Sequence, residues 1–192
     1  IIDFVLKHKD KVILIRGNHE DLMEQMIERN SSDYGDLCNG TAQTIVDLYP
    51  EWQTSEFDLK KIAKATRLQE VLDMCVDCYE TKHYIFVHGW IPIVENCYLY
   101  DSNWRTARKE SWEKARWANP VEMYRYKIYE PNKTIVCGHW HCSALWHEQN
   151  PDEYEEFGDK ANFEPFITKN MIVIDACTAY SKKVNVLIIN EK

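Results

Sequence analysis

The sequence predicts an α/β fold, and three observations predict it. Short continuous apolar runs recur along the chain at Val12–Ile15, His83–Val87 and Thr134–Cys137, each of the length of a buried parallel-type strand. Between them apolar residues fall at helical spacing. Each run also ends directly in a glycine and histidine motif: Gly17-Asn18-His19-Glu20, His88-Gly89-Trp90 and Gly138-His139-Trp140-His141.

Residues 1 to 8 carry a helix-like apolar cluster, which Lys9-Asp10-Lys11 breaks before the first run. After Arg16-Gly17-Asn18, the apolar residues Leu22, Met23, Met26 and Ile27 predict a helix, so His19 sits on a strand-to-helix turn. Ser31 to Gly40 is polar and turn-rich, and Ala42 to Tyr49 reads as a short helix stopped by Pro50. With Asp58 as N-cap, the apolar positions from 59 to 79 predict one long amphipathic helix that contains Cys75 and Cys78. Residues 31–80 together read as a helical insertion. Glu95 to Asn119 is expected to be a loop and then a helix, with Trp104, Trp112 and Trp117 as packing anchors. Residues 147 to 165 read as an acidic surface loop, and Met171–Ile174 and Val184–Ile189 as two closing strands.

The 192 residues fit one domain, 1–192, with a core large enough to hold a rigid site. A net charge of -8 argues against nucleic acid as the main partner, because phosphate backbones call for clustered Lys and Arg. The apolar runs are far shorter than the roughly 20 residues that cross a bilayer, so no membrane partner is expected. The start of the chain lacks the basic and small-residue features of a signal peptide. Seven scattered cysteines, an odd number in a chain too large to need a disulfide scaffold, point to a reducing cytoplasm.

Ligands of open α/β sheets bind outside the carboxyl ends of strands, so Asn18, His88 and His139 are placed to converge across the sequence. Imidazole nitrogens and an amide oxygen suit borderline divalent ions such as Mn, Fe or Zn, and neutral ligands leave charge on the ion to act on phosphate. Each residue also has a structural reading. A lone histidine after a strand usually packs and hydrogen-bonds, the glycines would serve turns, and Arg116 would be a helix surface charge. Cys75-x-x-Cys78 reads as a pair of core cysteines, because no second pair exists for zinc. His8, His83 and His147 read as structural, and Asp152 to Glu156 as a solvated run.

Taken in order, Gly17-Asn18-His19-Glu20, the strand ending in His88-Gly89, and Gly138-His139-Trp140-His141 resemble the calcineurin-like metallophosphoesterases. The nearest branch is the serine/threonine phosphoprotein phosphatases of bacterial or phage type. The resemblance implies a four-layer αββα sandwich and two divalent or trivalent metal ions. It implies Asn18, His88, His139 and His141 as metal ligands and His19 as the general acid. Arg116 and Asn18 would contact the phosphate, Ile174-Asp175-Ala176-Cys177 would be structural, and a metal-bound hydroxide would attack a phosphate monoester. The implied substrate is a phosphorylated protein, with diadenosine polyphosphate or another small phosphoester as the alternative. The family's opening motifs, Asp-x-His and Gly-Asp-x-x-Asp-Arg-Gly, do not occur in these residues. The sequence is therefore expected to be the C-terminal portion of such a domain, its N-terminal strand-helix-strand portion missing, and a non-catalytic remnant is the competing reading.

Overall fold

The computed structural model describes residues 1–50, 58–94 and 98–191. They separate into two compact units, Ile1–Val76 and Asp77–Lys192. Positions 51–57 of the expected insertion, and 95–97 of the expected loop-then-helix stretch, lie outside the described residues.

The first unit is helical around one short parallel ladder. Helix α1 (Ile2–Lys7) leads to strand β1 (Leu14–Ile15) and helix α2 (Asn18–Arg29). Helices α3 (Tyr34–Cys38), α4 (Thr41–Leu48), α5 (Leu59–Ala65) and α6 (Leu68–Asp73) precede strand β2 (Cys75–Val76). Met23, Met26 and Ile27 of α2 share a core with Ile45, Leu59, Ile62, Ala63, Leu68 and Leu72. These are the helical-period positions of the sequence, and each fully buried Leu, Ile or Met contributes about 1.5–3 kcal/mol. Asn30 ends α2 in the left-handed region, and its side-chain oxygen accepts the Leu59 N–H at 2.7 Å, which ties α2 to the start of α5.

Three expectations need correction here. The long helix of 59–79 is two helices followed by strands, so the helical part of the 31–80 stretch ends at Asp73. The break comes at Thr66, whose hydroxyl bonds back to the Ile62 carbonyl at 2.8 Å, and at Arg67, whose φ of 60° no helix accepts. Asp58 does cap α5, accepting the Lys61 N–H at 3.1 Å. Cys75 therefore lies on β2, paired with Leu14, rather than within a helix, and Cys78 lies outside a helix too. Of the run Val12–Ile15, only Leu14 and Ile15 form a ladder, parallel to β2 as expected.

The second unit is built on a five-stranded mixed sheet. Its strands are β3 (Tyr79–Glu80), β4 (Tyr84–Phe86), β7 (Thr134–Cys137), β8 (Phe166–Ile167) and β9 (Met171–Val173), in the order β3-β4-β7-β9-β8. The three inner strands run parallel and the two edges antiparallel. That arrangement explains why Ile85, Ile135, Val136, Met171 and Val173 are buried in apolar runs without alternation. A separate hairpin pairs β5 (Ile93–Val94) with β6 (Leu99–Tyr100).

A 3-10 turn (Trp104–Thr106) and helices α7 (Lys109–Arg116), α8 (Pro120–Tyr126), α9 (Cys142–Gln149) and α10 (Thr178–Ser181) complete this unit. Trp104 and Trp112 pack edge to face in the core, 5.9 Å between centroids. The buried Glu130 carboxylate accepts from Trp104 Nε1 at 3.0 Å and from Tyr100 Oη at 2.6 Å. Trp117 departs from expectation: it is half exposed and lies outside the core cluster of the described residues. The second closing strand, Val184–Ile189, also does not form. The segment is extended, with Val184, Val186 and Ile188 facing solvent, but it has no ladder partner among the described residues. None of the described helices is long and apolar enough to cross a membrane.

Candidate functional site

In the first unit, β1 delivers Arg16, whose backbone N–H continues the ladder to Val76 O at 2.8 Å. The chain then turns sharply into α2, and two side-chain contacts fix that turn. The Gly17 N–H donates to Glu20 Oε2 at 2.7 Å. The Arg16 guanidinium reaches over the turn to Asp21 Oδ1 at 2.7 Å and to both oxygens of Glu24, one of them at 2.9 Å. Burial works against that charge, but the hydrogen bonds to Glu24 and Asp21 outweigh it and hold the guanidinium above its ordinary pKa. Asn18 is buried in the first turn of α2, while His19 beside it is exposed to solvent.

In the second unit, β4 and β7 end side by side. Val87 N–H donates to Val136 O at 3.0 Å, and Gly138 N–H to His88 O at 2.8 Å, so the parallel ladder runs on past both strands. The two histidine turns are thereby latched together. His88 Nε2 and His139 Nδ1 stand 3.1 Å apart. His139 has a φ of 66°, and Trp140 N–H closes back on Gly138 O at 2.8 Å, which makes a tight γ-turn of the rarer, strained hand around it. Backbone held in such a region of conformational space is typical of residues that a site positions.

Gly89 owes its identity to close approach rather than to its own backbone angles. A Cβ there would lie 2.6 Å from Ala115 O and 2.8 Å from Arg116 O, so only glycine lets the end of α7 pack against the turn after His88. That packing places Arg116 and Trp117 beside the histidine pair's element. Arg116 is buried, and its Nη1 donates to Asp77 Oδ1 at 2.6 Å.

His141 is the N-cap residue of α9. Its Nδ1 is 3.0 Å from Ser143 Oγ and its Nε2 is 3.3 Å from Glu156 Oε1. Burial pushes its pKa down, against the carboxylates of Glu156 and Asp175. Asp175 closes the following turn, accepting Cys177 N–H at 2.7 Å. The structure thus brings together two expected ligands, His88 and His139, with His141 one ring further along. Asn18 and His19 belong to the first unit. Among the described residues, no three His, Cys, Asp or Glu side chains gather as a metal-binding group.

The histidine pair fits a borderline divalent ion. Two nitrogens each about 2.1 Å from one ion stand about 3.0–3.4 Å apart, which matches the pair's separation. Sequence reasoning missed Arg16, Asp77 and Glu156. For Arg16 the signal was there, since Asp21 and Glu24 lie three residues apart and so share one face of α2. Asp77 and Glu156 come from distant turns and carried none.

A family model described as calcineurin-like phosphoesterase matches residues 1–143. No curated protein and no solved structure shows a significant match to the chain.

Proposed function

The chain belongs to the calcineurin-like phosphoesterases, and from that premise we propose that it hydrolyses phosphate monoesters with metal assistance. The observation that carries the reading is the His88–His139 pair, 3.1 Å apart at the ends of two parallel strands. Family members bind two metal ions, and the proposed ligands in this chain are Asn18, His88, His139 and His141. Bound there, such ions would supply Lewis-acid charge and acidify water.

The chain's own residues do the rest. His88 and His139 are held by the latched ladder, so little reorganisation opposes their binding an ion. His19, exposed at the start of α2, is the proposed proton donor to the leaving oxygen. Arg116, its guanidinium fixed by Asp77, is the proposed phosphate contact. The four-layer αββα arrangement and a cytoplasmic setting go with this reading. Phosphoserine and phosphothreonine proteins are the leading substrates, because the tetrad Gly17-Asn18-His19-Glu20 resembles that branch. Small phosphoesters such as diadenosine polyphosphates are a second reading, favoured by exposed aromatic rings around His139.

Titration of the chain with Mn(II), followed by paramagnetic broadening of imidazole resonances, tests the ligand set. His88 and His139 should broaden first, and His88→Ala should weaken binding at least tenfold. Phosphate release from p-nitrophenyl phosphate and from a phosphoserine peptide, lost in His88→Ala, tests the reaction. Mn(II) binding that is indifferent to both histidines would sink the site.

A further inference from the structure

Around His139 the second unit carries a run of rings in mutual contact. Trp117 meets His139 edge to face at 5.9 Å, and Trp140 lies 6.5 Å from the same imidazole. Trp140 stacks on His141 at 5.6 Å and 22°, His141 meets Phe157 at 4.8 Å, and Phe157 meets Tyr180 at 5.2 Å. The histidines of this run are the proposed ligands, yet its other members remain open to solvent: Trp117 is 50% exposed, Trp140 37%, Phe157 46% and Tyr180 53%. The unit has a well-packed core that buries Trp90, Trp104 and Trp112 completely or nearly so. Large rings left at the surface next to a phosphate site are therefore unspent apolar surface, of the kind that marks a ligand position.

Two of these rings are indoles beside His139, so a group bonded to a phosphate drawn to an ion at His88 and His139 would lie close to them. Serine and threonine leaving groups offer no flat surface for an indole. A planar ring does, and stacks on one without regard to sequence. Glu156 adds a second requirement. Its half-exposed carboxylate sits by His141 Nε2 and can only accept hydrogen bonds. A tyrosyl ring brings no ring N–H donor to it, whereas adenine brings an exocyclic amino group.

We propose that Trp117, Trp140 and Phe157 form a stacking subsite for the base of a nucleoside phosphate, with Glu156 as acceptor for its amino group. The proposal rests on the phosphoesterase reading for the position of the phosphate and develops its small-phosphoester branch rather than the phosphoprotein one, but the subsite binds whether or not the ester is cleaved.

Calorimetric titration without added metal separates the two. The probes are AMP, ribose 5-phosphate and O-phosphotyrosine. AMP should bind about 5- to 150-fold more tightly than ribose 5-phosphate, the range expected for one stacked base. That ratio should collapse in Trp117→Ala and in Trp140→Ala, while Trp117→Phe, which keeps a ring, should retain part of it. Both side chains are exposed, so unchanged circular dichroism will show that the variants fold. Equal affinities for AMP and ribose 5-phosphate, or O-phosphotyrosine binding as tightly as AMP, would overturn the proposal. AMP binding without phosphate release under Mn(II) would instead count against the hydrolase reading and leave the subsite standing.

Discussion

Gly89→Ala is the perturbation the structure constrains most tightly. The new Cβ would meet Ala115 O at 2.6 Å, Arg116 O at 2.8 Å and Ala118 O at 3.0 Å, all of them backbone atoms at the end of α7 that no rotamer change can move. Relief requires α7 and the turn after His88 to separate by several tenths of an ångström. Overpacking of this kind costs about 1–3 kcal/mol. The separation also stretches the hydrogen bond from Trp90 N–H to Ala115 O, now 2.9 Å, and an unmade buried bond costs about 1–3 kcal/mol more. The expected loss is about 2–6 kcal/mol, against a whole-protein stability of about 5–15 kcal/mol, or a fall of about 4–24 °C in midpoint. Indole fluorescence under urea is the assay, because six of the seven tryptophans (90, 104, 112, 117, 140 and 146) lie in the second unit. Gly138→Ala is the internal control. Its nearest neighbours would be Asp175 Cβ at 3.9 Å and His88 O at 4.0 Å, so it should be neutral or stabilising by up to about 1 kcal/mol. A Gly89→Ala loss under about 1 kcal/mol, or equal losses for the two variants, would refute the reasoning.

Three further outcomes are expected. Arg16→Met, which strips Asp21 and Glu24 of their cation, should destabilise the first unit by about 2 kcal/mol in far-ultraviolet melting. Arg16→Lys should recover only part of that, since one ammonium cannot span both carboxylates; full recovery would show that charge alone mattered. Glu80 is held below the ordinary glutamate value of 4.5 by hydrogen bonds from Arg105 and then from Lys133, against burial. A depressed carboxylate stabilises the fold above its unfolded pKa and loses that contribution as pH falls through its folded one. Glu80→Gln should therefore cost about 1 kcal/mol at pH 7 and nothing once Glu80 is protonated; a gap that persists in acid would contradict the ion pair. Finally, burial pushes the Cys142 thiol up to about 12 and raises Cys137 as well, whereas Cys38 is exposed. Iodoacetamide at pH 7.5 should label Cys38 in the native protein and reach Cys137 and Cys142 only on unfolding, as peptide mass spectrometry will show.

What could be read from the residues beforehand was the inner sheet and the histidines at its ends. Thr134–Cys137 is a strand over the predicted residues, and His88 and His139 do meet, because strands buried on both faces leave continuous apolar runs in the sequence. The helix over 59–79 misled because periodicity does not register Arg67. Its left-handed backbone starts α6 afresh while the apolar positions continue, since both helices cover the same core. Val184–Ile189 has the apolar content of a strand, but a strand needs a ladder, and pairing is a property of neighbours rather than of composition. The same limit hid the partners of the site. Asp77 for Arg116 and Glu156 for His141 are met only through folding.

The parallel ladder of β1 and β2 joins Leu14 to Cys75, and five of the described helices, α2 to α6, lie within the loop it closes. Helices form from near neighbours within about a microsecond, but this ladder must wait for its second strand. At synthesis rates of about 5–20 residues per second, the 61 residues between those partners take about 3–12 s to appear. During that interval the Arg16 turn has its carboxylates but its strand has no companion. Slowed elongation between Asn18 and Cys75 would lengthen the exposure of Leu14 and Ile15 to the ribosome surface and to chaperones.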